Sequence, residues 1–403
     1  MKILLDGALF SECEMMGNNR HGILRAAEEI TNRLINNAEM DISFINTIYL
    51  EDYHLYLKRY TQQRYPALAG RVLSKKPSSL FNLLKFKCIY REFPWLLFLP
   101  VKNSSINSYD LFHSYYYPFP KEILNAPIKK CITYFDIIPL KINGCSKRFE
   151  WLTKEIIRSI EYNYAISVSE FSKQDLLNFN KNIDPNKVFV VPLAASRELF
   201  YQNRSEVDWM AAKEKYSLPE HYFLCLAASA KRKNIPHLIL SFSNFVLQEK
   251  PKDLFLVLAG NSTHSRLLLD NLNINKAIRK RIIFISKFID ESDLAVVYSH
   301  AMGFFFMSIY EGFGLPVLEA MQCGTPTVSA DCASLPEIVG DAGVLLPPND
   351  REQLCQTMLQ LYTNEEFRNN LSKKGLQRAF QFSWERTANE YSAIFKKIKE
   401  FRN

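Results

Sequence analysis

Residues 308–326 read SIYEGFGLPVLEAMQCGTP and set two glutamates, Glu311 and Glu319, among small, apolar and aromatic neighbours. The apolar run GFFFM ahead of them has the length of a buried strand, and Gly312 and Gly314 then mark a turn. Pro316 suits the first helical turn, where its missing N–H is not needed. The spacing therefore predicts a helix from near Leu315 to about Cys323, with Gly324 as its stop. A strand, a glycine-bearing loop and a helix N-terminus in succession leave free N–H groups and a positive partial charge where a phosphate can sit.

Working outward, short apolar runs predict strands at 2–6, 42–48, 110–115, 131–136, 165–169 and 188–193, with helical patterns at 23–36, 149–162 and 173–179 between several of them. A second series follows at 223–227, 254–259, 282–285, 304–307, 327–330 and 344–346. Strands alternating with helices imply parallel sheets covered on both faces. Two such series imply an α/β chain of two Rossmann-like domains facing a central cleft. Charges with Asn203 and Ser205 mark 192–217 as the linker, and 383–398 reads as a closing helix behind a Ser383 cap. The domains are accordingly placed at 1–200 and 201–382, with 383–403 as the terminal helix.

Composition narrows the class. With 403 residues and 47% hydrophobic content, the chain can bury a large core. Its longest apolar run, FPWLLFLPV at 93–101, is far short of the roughly 20 residues of a spanning helix. MKILLDG at the start reads as a buried first strand, so a cytoplasmic location is expected. The 8 cysteines are scattered without a C-x-x-C, as in a chain of reduced thiols. Neither D-x-D, H-E-x-x-H nor a P-loop occurs, which leads us to expect no metal and no cofactor. Between Tyr53 and Arg91 nine Lys and Arg residues meet no Asp or Glu and interleave with aromatics. Such a stretch fits an anionic membrane surface or nucleic acid, and equally a solvated helical face.

Glu319 falls among Val317, Leu318, Ala320 and Met321, so its helix should be buried all round. A buried, unpaired carboxylate is costly, and a ligand bearing hydroxyls would relieve that cost; the plain alternative is a response to the helix dipole. Ser334-Leu-Pro-Glu337 and Ser172-Lys-Gln-Asp175 have capping-box spacing, which makes those acids structural. The G-x-G of the loop has no third glycine at fingerprint spacing and says little alone. Lys233, in KRKN, sits at a helix start where it could be only a surface lysine.

EGFGLPVLE resembles the E-x7-E motif of family 4 glycosyltransferases, retaining enzymes of the GT-B fold, and the match continues through EAMQCGTPTVSADCASLPEIVGDAGVLLPPND. Lys233 and Asn234 fall where that family has R-K-N, NRHGILRAA resembles its first-domain glycine loop and helix, and FSWERTANEY resembles its last helix, which crosses back to the first domain. The resemblance implies that Glu319 accepts hydrogen bonds from the ribose and Glu311 from the donor sugar. It also implies that the loop Gly312, Phe313, Gly314 and Leu315 holds the diphosphate, with Arg232 and Lys233 neutralising it. Gly22 and Gly17 would let the first-domain loop approach the donor. Asp136 keeps a family position in TYFDIIPL, whereas Phe135 stands where the family usually has His. His113, at a predicted strand end, could face the acceptor or be a satisfied structural residue.

Three functions remain in competition. The first is retaining transfer of a hexose, mannose from GDP-mannose on the R-K-N resemblance with UDP- and dTDP-sugars as alternatives. Its acceptor would be a glycan or lipid-linked oligosaccharide, as in assembly of a surface polysaccharide such as O-antigen, at the inner membrane face. The second is a catalytically silent GT-B partner subunit, which Phe135 keeps open. The third is nucleic-acid binding, which lacks any recognised module; no nucleic-acid partner is expected.

Overall fold

Among the described residues thirteen strands form two sheets in which every pairing is parallel. They are seen in a computed structural model that describes residues 1–15, 22–47, 53–73, 104–226, 230–260, 269, 271–272, 274–285 and 289–401. Gly17, residues 19–21 of NRHGILRAA, residues 74–91 of the basic aromatic stretch and the apolar run at 93–101 lie outside the described residues. The chain divides into a unit of Met1–Pro192 with Trp384–Asn403 and a unit of Leu193–Ser383.

The first unit holds β1 (Lys2–Asp6), β2 (Asp41–Ile45), β3 (Val72–Leu73), β4 (Leu111–Ser114), β5 (Lys129–Tyr134), β6 (Tyr164–Ser167) and β7 (Val188–Val190), in the order β3-β2-β1-β4-β5-β6-β7. Two residues make β3, too few for any periodicity to show. The closing helix Trp384–Glu400 packs on the helix Gly22–Ile35 of this unit. Tyr391, Phe395 and Ile398 are wholly buried there, and Thr387 Oγ1 donates to the Pro192 carbonyl at 2.8 Å. Exposed pairs such as Lys399 with Asp110 at 3.1 Å add little to that burial.

The second unit holds β8 (His221–Leu226), β9 (Leu254–Ala259), β10 (Ile282–Ile285), β11 (Gly303–Phe306), β12 (Thr327–Ala330) and β13 (Val344–Leu346), in the order β10-β9-β8-β11-β12-β13. Phe304, Phe305 and Phe306 are all buried, so β11 reads as a continuous apolar run because both of its faces are covered. The order reverses between β8 and β11. In sheets of this kind the crevice beyond the strand ends at such a reversal is where ligands bind.

Four local expectations are corrected. The 192–217 segment is no simple linker: a helix, Glu206–Tyr216, lies within it and buries Trp209 against Tyr222 and His300. Ser205, read as a loop residue, is that helix's cap and accepts from the Asp208 N–H. Ser172 closes no capping box, because Ser169 caps that helix while Ser172 Oγ donates to the Phe135 carbonyl at 2.8 Å. Ser334 likewise makes no side-chain cap to its helix; its hydroxyl is used in the loop described below. Among the described residues no helix is long and apolar enough to cross a membrane.

Candidate active site

The reversal point of the second sheet is built from two segments. After β8 the chain makes a short 3-10 turn, Lys231–Lys233, and after β11 it runs through Ser308 to Gly314. The Ile309 N–H donates to the Arg232 carbonyl at 2.8 Å and locks the two segments together. Across this join Glu311 Oε1 accepts from Lys233 Nζ at 2.7 Å, from Ser308 Oγ at 2.6 Å and from Arg232 Nη1. Glu311 is only 8% exposed. Burial would raise its carboxyl pKa, but the charges of Lys233 and Arg232 outweigh burial and hold it below the usual carboxylate range. For Lys233, burial outweighs the pull of Glu311 and lowers its pKa. Its ammonium also lies 4.3 Å from the centre of the Phe306 ring.

The loop is tied from below. Ser334 Oγ lies 3.0 Å from the Glu311 carbonyl and 2.7 Å from that of Phe313. Gly314 follows with φ +114 and begins the helix Leu315–Gln322, whose N-terminus has no side-chain cap. A Cβ at Gly314 would stand 2.9 Å from Leu335 Cδ2. Gly314→Ala therefore combines an unfavourable backbone with a clash, and a loss of about 1–3 kcal/mol is expected, read from the denaturant midpoint. The predicted helix is confirmed in type and extent: residues 317–322 are all buried, and Gly324 beyond it has φ +72.

Glu319, on that helix, is 2% exposed, and Tyr298 donates to its Oε2 at 3.3 Å. The carboxylate is thus not unpaired, as the apolar neighbours had suggested. The partner comes from a helix 21 residues upstream, Glu291–Ser299, which local sequence cannot reveal.

In the first unit, Asp136 Oδ1 accepts from the Ile138 N–H at 2.9 Å, Phe135 is held through its carbonyl by Ser172, and Gly22 begins the helix Gly22–Ile35. Sequence reading passed over Asp6, which is 2% exposed at the end of β1 and accepts from the Ala8 N–H, Thr47 and Ser114. It fastens the ends of β1, β2 and β4 at that sheet's own reversal. His113 is wholly buried, with Nε2 3.1 Å from Thr133 Oγ1 and its ring against Tyr115, Tyr391 and Phe395. Burial pushes its pKa down to about 3. Between that value and its ordinary value the unfolded chain holds the extra proton, so stability rises with pH across this window and is lost as pH falls. Replacing it, His113→Gln, should flatten the fall in unfolding free energy between pH 6.5 and 5 by up to about 1.4 kcal/mol per pH unit.

Residues 210–378 match the family described as Glycosyl transferases group 1. The O-antigen chain mannosyltransferase B of Escherichia coli is 30% identical over 294 residues, 70% of this chain and 75% of that one. The chain belongs to the group 1 glycosyltransferases. Another relative of this glycosyltransferase, the serotype-specific mannosyltransferase WbdA of Escherichia coli, is 29% identical over 274 residues, and this chain matches 33% of its length. Among solved structures, Anabaena HepE in complex with UDP and glucose superposes with a TM-score of 0.69 at 14% identity, covering 98% of this chain and all of that one. WaaG, a glycosyltransferase involved in lipopolysaccharide biosynthesis, gives 0.63 at 13% identity, covering 98% and 99%. The two sheets with their helices are thus the GT-B fold of these glycosyltransferases.

The fold brings Glu311, Arg232 and Lys233 of this glycosyltransferase together, with Gly312, Phe313, Gly314 and Leu315 next along the chain and Glu319 on the helix that follows. Asp136, Phe135, His113 and Gly22 belong to the other unit. Ser308 and Tyr298 were missed, and Ser334 was read only as a helix cap, because a serine or a buried tyrosine carries no signal until its partner's position is known.

Proposed function

We propose that this glycosyltransferase moves mannose from GDP-mannose to a glycan or lipid-linked acceptor with retention of the anomeric configuration, in assembly of a surface polysaccharide. The observation that carries the reading is the convergence of Arg232, Lys233 and Ser308 on Oε1 of Glu311 at the sheet reversal. Among the described residues no donor reaches Oε2, which leaves that oxygen for a hydroxyl of the donor sugar. The uncapped helix start behind Gly314 suits the diphosphate, and Arg232 and Lys233 supply cations without a metal. Glu319 takes the ribose hydroxyls. The sugar C1–O bond to the diphosphate breaks, with its electron pair leaving on the phosphate. The acceptor oxygen then bonds to C1 from the same face, and its proton passes to the departing diphosphate. Charge that builds on two phosphates is what fixed cations and N–H groups stabilise. The mannosyltransferase relatives support the choice of sugar.

A thermal-shift panel of nucleotide sugars, followed by transfer of labelled mannose and NMR of the product's anomeric proton, tests this reading. GDP-mannose should give the largest shift, and the product should keep the donor's configuration. Selective stabilisation by a UDP- or dTDP-sugar would overturn the donor, and an inverted product would overturn retention. A lipid-linked acceptor also calls for membrane contact. The helix Tyr53–Arg64 exposes Lys58, Arg59, Arg64 and Leu55. Sedimentation with anionic vesicles and none with neutral ones is the expected result.

A further inference from the structure

Asn234 stands where the turn Lys231–Lys233 meets the helix Ile235–Glu249, with left-handed backbone at φ 55 and ψ 32. An asparagine at a helix start ordinarily accepts a backbone N–H from the first turn. Asn234 makes no such cap. Its amide turns away, and Nδ2 donates to the Pro348 carbonyl at 2.8 Å, in the loop after β13. Its own N–H closes the turn on the Lys231 carbonyl at 3.1 Å, and its carbonyl accepts from the Leu238 N–H at 3.3 Å. The residue is thus spent on shaping the turn and anchoring it to a third segment.

We propose that Asn234 is a positioning residue for donor binding: its left-handed turn, tethered to Pro348, aims Arg232 and Lys233 at one point beside Glu311. Consecutive side chains diverge in extended backbone, whereas here both cations reach the same carboxylate oxygen. Asparagine is among the few residues other than glycine that enter this backbone region readily, and it alone adds the amide donor that Pro348 receives. The proposal rests on the assignment of Arg232 and Lys233 to the donor's diphosphate. It adds that their aim is set by a residue that touches no part of the donor.

Three variants, Asn234→Gly, Asn234→Val and Lys233→Met, separate the two. Calorimetry with GDP and with guanosine, or with UDP and uridine if the donor screen selects a uridine sugar, reads the phosphate contribution directly. Asn234→Gly keeps the backbone and loses one hydrogen bond, so diphosphate affinity should fall roughly 2- to 12-fold. In Asn234→Val a β-branched residue must leave the left-handed region, and the fall should be roughly tenfold or more. Guanosine should bind all three as it binds the wild type. Combined with Lys233→Met, the valine change should cost much less than it does alone, because the cation it aims is already gone. Equal losses for GDP and guanosine, or full additivity in the double variant, would reduce Asn234 to a structural residue and overturn the proposal. If Lys233→Met alone leaves GDP binding unchanged, the diphosphate assignment fails and the positioning role goes with it.

Discussion

Glu311→Gln is expected to cut sugar transfer by roughly 100-fold and to lower the unfolding free energy by about 3–5 kcal/mol. Both losses have one origin. The wild-type carboxylate is the counter-charge for Lys233 and Arg232, whose side chains are 11% and 20% exposed. An amide of the same shape still accepts their hydrogen bonds but leaves two neighbouring cations buried without an anion. Burial already lowers the Lys233 pKa, and losing Glu311 removes a contribution that raises it. In the variant Lys233 therefore sheds its proton more readily in the folded state than in the unfolded one. The unfolded chain then binds more protons, so the variant's stability deficit should shrink as pH rises above neutral. Adding Lys233→Met should recover part of the lost stability and none of the transfer. Denaturant midpoints across pH and initial transfer rates read these effects. Binding of free nucleotide should suffer less than transfer, because Glu311 is assigned to the sugar; parallel losses in both would count against that split.

What the sequence disclosed and what it withheld differ by the range of the interaction. The runs at 254–259, 282–285, 327–330 and 344–346 match β9, β10, β12 and β13 residue for residue; β9, buried almost throughout, shows the unbroken apolar run of a strand covered on both faces, and β12 the same burial with two small hydroxyl residues. EGFGLPVLE was equally legible, since turn, proline and helix start are local chemistry. The partners of its acids were not: Arg232 and Lys233 lie 79 and 78 residues before Glu311 and meet it through the strand order β8-β11 alone. Hydroxyls failed for a related reason. The pattern S-x-x-D/E fits a capping box at Ser172 and Ser334, yet an Oγ donates to whichever carbonyl the fold brings near. At these two positions that is Phe135 in the one case, and Glu311 with Phe313 in the other.

The ribose assignment of Glu319 makes the second large prediction, and Tyr298 changes how it must be tested. Hydrogen bonds to a charged group are worth about 1.5–3 kcal/mol, so Glu319→Ala should weaken nucleotide binding roughly 10- to 150-fold. The alanine also removes a hydrogen bond that the fully buried Tyr298 hydroxyl donates to Glu319. Losing that buried bond to a charged group costs about 1.5–3 kcal/mol in its own right, so a fall in affinity could reflect a loosened helix instead of a lost ribose contact. Glu319→Gln answers this, because its side-chain oxygen can still accept from Tyr298 while the charge is gone. Calorimetry should use the ordinary nucleoside diphosphate and its 2′,3′-dideoxy analogue in parallel. Each change at Glu319 should weaken the ordinary nucleotide far more than the dideoxy one, since an analogue without those hydroxyls has nothing to lose. Equal losses for the two ligands in a folded variant would mean that Glu319 serves the helix and Tyr298, and the ribose would need another partner.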